Sequence, residues 1–95
     1  MTFAKKVDKN QKDVVKALRS MGADVFLLHT QGGGIPDLMC AFQNQTILLE
    51  VKDGESKTLT PLQIKLFATW QGGPLHRVNS VQEAIEVLKL YEMES

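Results

Sequence analysis

The stretch that decides the fold is PDLMCAFQNQTILLEVK, residues 36–52. Its charged residues lie at the ends of apolar runs: Asp37 follows a proline, and Glu50 and Lys52 flank a valine near the end. A small protein normally exposes its charged side chains to water, because they are rarely buried unless they are paired. The positions of these three residues therefore need an explanation.

The same stretch has the pattern of a β-hairpin. Residues 35–42 and 46–52 are apolar runs that predict two strands, and Asn44 with Gln45 fits the turn between them. Side chains alternate across a strand, so the acid and the lysine of the second run project from one face, about 7 Å apart. The hairpin would bring the acid of the first run to the same edge of the sheet.

The flanking segments alternate between helical and strand patterns. The predicted elements are a helix over 8–21 capped by Asp8, a strand over 25–29, a helix from Pro61 capped by Thr60, a strand over 75–78 and a final helix capped by Ser80. Leu62, Leu66 and Trp70 form the predicted apolar face of the second helix. The order α-β-β-β-α-β-α predicts an α/β sandwich on a mixed sheet.

Composition is that of a small globular protein. The 95 residues are 43% hydrophobic, which suits a single domain over 1–95 with a small core that dimerisation would help. Cys40 is the one cysteine, so an internal disulfide framework is excluded and the chain fits a reducing cytoplasm. The start is too polar for a signal peptide, and no apolar run approaches the ~20 residues of a membrane span.

Net charge is zero, which gives no support for a nucleic-acid partner. The distribution is uneven, however: basic residues outnumber acids over 1–20, and acids outnumber basic residues over 81–95. Such a molecule could offer a basic face to a phosphate backbone. Ordinary solvated helix faces have the same pattern, and charge alone favours that interpretation.

The three charged residues of the hairpin suit one kind of chemistry. Two carboxylates brought together repel each other, and Mg²⁺ compensates because it takes oxygen ligands from carboxylates, waters and phosphates. The backbone carbonyl of Val51 could add a further oxygen, and Lys52 could orient or deprotonate an attacking water. These are the parts of metal-assisted phosphodiester hydrolysis. The alternative is a surface ion pair of Glu50 and Lys52, with Asp37 in a turn.

At these residues the chain resembles the PD-(D/E)XK nuclease superfamily, whose signature reads here as Pro36-Asp37 and Glu50-Val51-Lys52. Within it the chain is similar to the VRR-NUC family, in the small stand-alone form found in phages, through GGGIPDLM, LLEVKDG and LTPLQ. The resemblance implies a restriction-endonuclease-like core with a mixed four-stranded sheet. It also implies a Mg²⁺- or Mn²⁺-dependent endonuclease that acts as a homodimer on branched DNA such as four-way (Holliday) junctions, within a bacterial host cell.

The resemblance also assigns roles to residues. Asp37 and Glu50 would be metal ligands, together with the backbone carbonyl of Val51. Lys52 would be the catalytic lysine. Gln63, in the following helix, matches a family glutamine near the catalytic site.

This chain departs from the family in its first helix. Many members carry a metal-facing glutamate there, and this chain has none. Asp8, Gln11 and Asp13 are the nearest candidates for that ligand. The identity of the ligand and the number of metal ions stay open.

Further residues could contact DNA. Gly32, Gly33 and Gly34 would let a phosphate backbone approach closely, because glycine has no Cβ. They lack the P-loop pattern, so no nucleotide cofactor is expected. Lys57 and Lys65 follow the site in sequence and could touch DNA, although solvated lysines are the more common case.

Two other functions fit the same pattern. A DNA-binding or recombination accessory domain could keep the nuclease fold without catalysis, and the missing helix-1 glutamate supports it. An unrelated α/β protein-interaction module would leave the charged residues as an ordinary ion pair.

Overall fold

The computed structural model describes residues 8–28 and 31–93, and helices and strands follow one another there in the predicted order α-β-β-β-α-β-α. Their bounds are α1 Gln11–Ser20, β1 Asp24–Leu27, β2 Leu38–Phe42, β3 Gln45–Val51, α2 Pro61–Thr69, β4 Leu75–Val78 and α3 Val81–Leu90. His29, the predicted end of the first strand, lies outside the described residues.

The strands form one mixed sheet in the order β1-β2-β3-β4. The first three strands pair antiparallel, and β4 pairs parallel to β3 after the chain crosses over through α2. The predicted mixed four-stranded sheet is therefore confirmed.

The hairpin between β2 and β3 turns one residue earlier than predicted. Gln43 and Asn44 form its two-residue loop with φ of 48° and 67°, the positive values that a type I′ turn requires. Gln45 is already the first paired residue of β3, and Leu38 pairs with Leu49. The loop thereby sets which residues meet at the open end of the hairpin.

The hydrophobic core lies between one face of the sheet and helices α1 and α3. Ile47, Leu49 and Val51 of β3 alternate along the strand and are fully buried on this face. The other fully buried apolar side chains come from both helices and the neighbouring strands: Val14, Leu18, Leu38, Cys40, Val78, Ala84 and Leu88. Burial raises the pKa of the Cys40 thiol to about 11, so this residue is a core side chain rather than a reactive thiolate.

Helix α1 begins with Asn10 as its N-cap, not Asp8. The Asn10 side chain does not cap the helix, because its Nδ2 donates to the carbonyls of Lys52 at 3.0 Å and Asn79 at 3.3 Å. Asp8 contributes only its backbone carbonyl to the turn, which accepts the N–H of Gln11 at 3.1 Å. A tertiary contact thus replaces the local cap and attaches the start of α1 to the end of the sheet.

Helix α2 contacts the opposite face of the sheet through a polar residue. Thr60 caps it as predicted: its Oγ1 accepts the N–H of Gln63, and Gln63 Oε1 accepts the N–H of Thr60, which completes a capping box. Gln63 is the buried residue of this helix, whereas Leu62 is 56% and Trp70 40% exposed. The prediction that α2 packs through an apolar face is therefore wrong. The helix leaves much of this sheet face open.

Helix α3 begins as predicted, because Ser80 Oγ accepts the N–H of Glu83 at 3.1 Å.

Among the described residues, no helix has the length and apolar character that crossing a membrane requires.

Candidate active site

Asp37 lies one residue beyond the paired end of β2. Continuing the register of β2 and β3 brings it beside Glu50. Asp37 Oδ2 accepts the backbone N–H of Val51 at 2.8 Å, and the Asp37 carbonyl accepts the N–H of Leu28 at 2.7 Å. Asp37 is only 2% exposed, so it is built into the sheet between β1 and β3 and does not lie in a surface turn.

The Glu50 carboxylate projects from the sheet face that α2 contacts. Its Oε2 accepts a hydrogen bond from Gln63 Nε2 at 3.1 Å. Gln63 Oε1 is held at the same time by the N–H of Thr60 at 2.9 Å. Because the cap residue of α2 orients the glutamine and the glutamine orients the carboxylate, the start of α2 fixes the position of Glu50.

Lys52 is held on both sides just beyond the end of β3. Its backbone N–H donates to the carbonyl of Val78, and its carbonyl accepts from Asn10 Nδ2. Its Nζ lies 3.8 Å from Glu50 Oε2, and the residue is only 9% exposed. An ion pair at the surface would be solvated and weak, so this buried arrangement contradicts the surface-pair alternative.

Asp37, Glu50 and Lys52 therefore form one buried cluster of two carboxylates and an ammonium. Burying an ionised group in a protein costs roughly several kcal/mol, unless pairing, hydrogen bonds or a metal ion compensates for the lost hydration. The lysine offsets one negative charge through its proximity to Glu50. A divalent cation would offset the charge of both carboxylates together.

The described residues contain no group of three histidines, cysteines or acids that could hold a metal ion. Among the described residues, the other oxygen atoms that could take part are those of side-chain amides and backbone carbonyls. Gln11 is 4% exposed, and its Oε1 is buried without a hydrogen-bond partner. Such an oxygen costs free energy, and coordination to Mg²⁺ is one way to satisfy it.

The start of α1 lies at the same end of the sheet as the cluster, because Asn10 donates to the Lys52 carbonyl. Asn10 Oδ1 is a second buried oxygen without a hydrogen-bond partner. Of the candidates for a helix-1 ligand, Gln11 is buried, Asp8 is half-buried and Asp13 is exposed. Carboxylates and amide oxygens are the kinds of donor that a hard divalent cation takes.

The glycine segment packs against the start of α2. Gly32, Gly33 and Gly34 have φ of 67°, 64° and 83°. A Cβ on Gly34 would lie 2.7 Å from the carbonyl oxygen of Leu62, so a larger residue does not fit. The segment and the first turn of α2 line a cavity of about 380 Å³, which brings it next to Gln63 as part of the same region.

Lys57 and Lys65 are both exposed and take no part in the buried cluster. His76 lies on the core face, where it shares a hydrogen bond with the Tyr91 hydroxyl, and burial lowers the pKa of His76. It is a structural residue of the β4–α3 contact.

Arg77 is a residue that sequence reasoning missed. It pairs with Glu50 across β3 and β4, so it emerges on the same sheet face. Its Nε donates to Asn79 Oδ1 at 2.7 Å, and its Nη2 donates to the carbonyls of Gly54 and Glu55 at 3.4 Å.

The Lys57 carbonyl also accepts from Arg77 Nη2. Arg77 thus fastens the loop that joins Lys52 to the start of α2. Alternation along LHRV places Arg77 opposite the core-facing Val78, but only the parallel register shows that it neighbours Glu50.

The fold and this cluster together define a class: a small α/β domain with a mixed sheet and a buried acid–acid–lysine site at a hairpin end. A solved structure described as "VRR_NUC domain" is similar to the chain with a TM-score of 0.74 and 22% sequence identity. The similarity covers 90% of this chain and 100% of that one. The chain therefore has the VRR_NUC fold, as the sequence resemblance predicted.

The comparisons with sequences give no further relative. No protein-family profile matches the chain, and no curated protein matches it.

Proposed function

We propose that the chain is a VRR-NUC-family endonuclease that hydrolyses phosphodiester bonds in DNA with a divalent metal ion. The observation that carries the proposal is the burial of Asp37, Glu50 and Lys52 at one hairpin end, with exposures of 2%, 1% and 9%. Stability alone does not favour such a cluster, because apolar side chains of similar size would be at least as stabilising. The VRR_NUC fold supports the catalytic interpretation.

The proposed cofactor is Mg²⁺ or Mn²⁺. Asp37, Glu50 and the carbonyl of Val51 would hold the ion, with Gln11 Oε1 as a neutral oxygen donor. When bound, such an ion lowers the pKa of a coordinated water and offsets negative charge on the scissile phosphate.

The chain's own residues supply positioning and charge. Lys52 Nζ would orient the attacking water and stabilise negative charge on the phosphate oxygens. Gln63 is a positioning residue, since it donates to Glu50 while Thr60 holds it from behind. Arg77 supports the loop that follows the lysine.

The proposed substrate is branched DNA such as a four-way junction, and the proposed assembly is a homodimer. The sheet face around Met39, Leu48 and Trp70 supports the dimer, because it lines an open cavity of about 550 Å³ with apolar side chains. Phe26 lies on this face beside Met39 and is 52% exposed. A two-fold dimer would hold two sites in a fixed relation, which suits paired cuts across a symmetric junction.

One observation favours a non-catalytic accessory DNA-binding role instead. Within the part of the chain that the structure describes, no third acid joins the two carboxylates. Titration with Mn²⁺ separates the two functions: the endonuclease binds the ion in the absence of DNA, and an accessory domain does not.

The direct experiment incubates the protein with labelled four-way junctions, flaps, nicked duplexes and plain duplexes, with Mg²⁺, Mn²⁺ or EDTA. We expect metal-dependent cleavage that is strongest on the junction. Lys52→Ala should reduce the cleavage rate by about 10²- to 10⁴-fold, the usual contribution of a group that activates water, while DNA binding persists.

Lys89→Ala is the matched control, because it removes an exposed lysine from α3 and should cleave like the wild type. Lys52→Ala is purified in the same way as the wild type, so a contaminating nuclease would show as cleavage by this variant. Full activity of Lys52→Ala, or cleavage that survives EDTA, would remove the proposed mechanism.

A further inference from the structure

A groove of about 790 Å³ runs between helix α1 and the edge strand β1. Among the described strands, β1 ends the sheet on this side, because β2 is the strand that pairs with it. One wall of the groove carries Lys12, Lys16 and Arg19, and the other carries Leu27. Asp13 is the one acid among the described lining residues.

The three basic residues follow helical spacing. Positions 12, 16 and 19 lie at i, i+4 and i+7, so their side chains share one face of α1. They span about 10 Å along the helix axis, at 1.5 Å per residue. Successive phosphates of one DNA strand advance by about 3.4 Å along the duplex, so this row spans about three phosphate-to-phosphate steps.

Arg19 gives the row a fixed end. Its Nη2 donates to the carbonyl of Val25 in β1 at 2.8 Å, so the guanidinium is already ordered across the groove. A planar guanidinium has five N–H donors, and the others can serve a phosphate oxygen.

The groove opens beside the candidate active site. Gln11, with its buried unpartnered oxygen, lies at one end of the lining. Leu27 pairs with Leu38, which is the residue next to Asp37. The N–H of Leu28, the next residue along, donates to the Asp37 carbonyl at 2.7 Å, so the groove begins at the end of the sheet that carries the carboxylates.

We propose that the α1–β1 groove binds the phosphodiester backbone of the DNA strand that continues from the cleaved bond. Lys12, Lys16 and Arg19 would each contact a phosphate, without reading the base sequence. This inference rests on the proposed function, and it adds a DNA-binding site beyond the glycine segment and the later lysines.

The test measures DNA affinity by fluorescence anisotropy in EDTA, at salt concentrations from about 50 to about 200 mM. Over this range, affinity that depends on phosphate contacts falls steeply. Lys12→Gln/Lys16→Gln removes two phosphate contacts. The negative slope of log affinity against log salt should therefore become less steep, by about 1.4 to 1.8. If the two proteins bind DNA equally at 1 M salt, this corresponds to a loss of affinity of about 25- to 60-fold at 0.1 M salt. Arg19 stays unchanged, because its bond to Val25 also supports the fold.

Two further variants test whether the effect depends on the sign of the charge and on its location in the groove. Asp13→Asn removes a negative charge from the same groove and should tighten DNA binding. Lys89→Gln removes one positive charge from α3 and should leave the slope unchanged. All of these residues are exposed, so thermal unfolding should match the wild type within a few degrees.

Cleavage with Mg²⁺ separates this inference from the proposed function. The double variant should keep kcat within about twofold and raise KM, because it loses binding that the ground and transition states share. If the wild type cleaves DNA but the double variant has an unchanged salt slope, the groove assignment is overturned and the endonuclease stands. A wild type that neither binds nor cleaves DNA overturns both.

Discussion

Glu50 illustrates how far the candidate site is organised by hydrogen bonds. Its Oε2 receives Gln63 Nε2 at 3.1 Å and lies 3.8 Å from Lys52 Nζ. Both neighbours are buried and held by other contacts, so the carboxylate has little freedom to rotate. Protein groups therefore hold the carboxylate in place, which is the kind of preorganisation that the proposed electrostatic catalysis would need.

Gln11 provides a test of the proposed metal site that needs no substrate. Gln11→Met removes the buried orphan oxygen with little change in volume, so the free energy of unfolding of the metal-free protein should rise by about 1–3 kcal/mol. For a domain of this size, that is a rise in Tm of about 4–8 °C for each kcal/mol. Mn²⁺ affinity should fall by at least about tenfold, measured by isothermal titration.

Gln82→Met is the matched control for this substitution. Gln82 is also in the first turn of a helix, but it is exposed. It should change neither Tm nor Mn²⁺ affinity. Wild-type-like Mn²⁺ binding by Gln11→Met would exclude Gln11 as a ligand.

The β2–β3 hairpin shows how a turn of two residues controls the chemistry of the site. With Gln43 and Asn44 in the loop, the register brings Asp37 beside Glu50. A loop at residues 44–45 would instead bring Asp37 beside Lys52. The carboxylates come together because Asn44 tolerates the positive φ that its place in this two-residue loop requires.

The contact between the glycine segment and α2 predicts a difference between neighbouring substitutions. Gly33→Ala and Gly34→Ala both place a side chain at positive φ, at about 1–2 kcal/mol each. Only Gly34 also meets the Leu62 carbonyl, at 2.7 Å, whereas a Cβ on Gly33 meets nothing within 4 Å. Gly34→Ala should therefore lose a further ~1–3 kcal/mol, seen as a lower Tm.

Gly34→Ala should also reduce cleavage more than Gly33→Ala, because displacement of the start of α2 moves Gln63 away from Glu50. Equal losses of stability and activity in the two variants would show that α2 docks independently of the glycine segment.

The whole molecule has two unlike sheet faces. One face packs against α1 and α3 to form the core, and the other carries the carboxylate cluster at one end and open apolar surface elsewhere. A single small helix covers the second face through Gln63 rather than through an apolar stripe. The candidate active site and the proposed dimer surface lie on this same face, so dimerisation would fix the distance between the two sites of the proposed dimer.

The dimer surface predicts a change in oligomeric state for one substitution and none for its control. Phe26→Lys puts a charge on the open face, so it should convert a dimeric wild type into a monomer in light scattering at micromolar concentration. Leu90→Lys changes an equally apolar residue, 71% exposed on α3, and should stay dimeric. A wild type that is monomeric across this range would contradict the proposed homodimer.

Predictability from sequence differs between parts of the site. Asp37, Glu50 and Lys52 were recognisable because they end apolar strands, and alternation places the last two on one face. Gln63 was assigned only through its family resemblance, and its bond to Glu50 is a finding of the structure. Arg77 gave no local signal, since an arginine in a short edge strand normally faces water.

The sequence by itself determined the order of the helices and strands and the two strand ends that carry the charged residues. These depend on hydrophobic periodicity and on local caps such as Thr60 and Ser80, which act within a few residues. Only the tertiary structure decided that Asn10 binds the Lys52 carbonyl, 42 residues away, and that Arg77 neighbours Glu50. Such contacts depend on strand register and helix docking, which the chain settles only when its distant segments pack together.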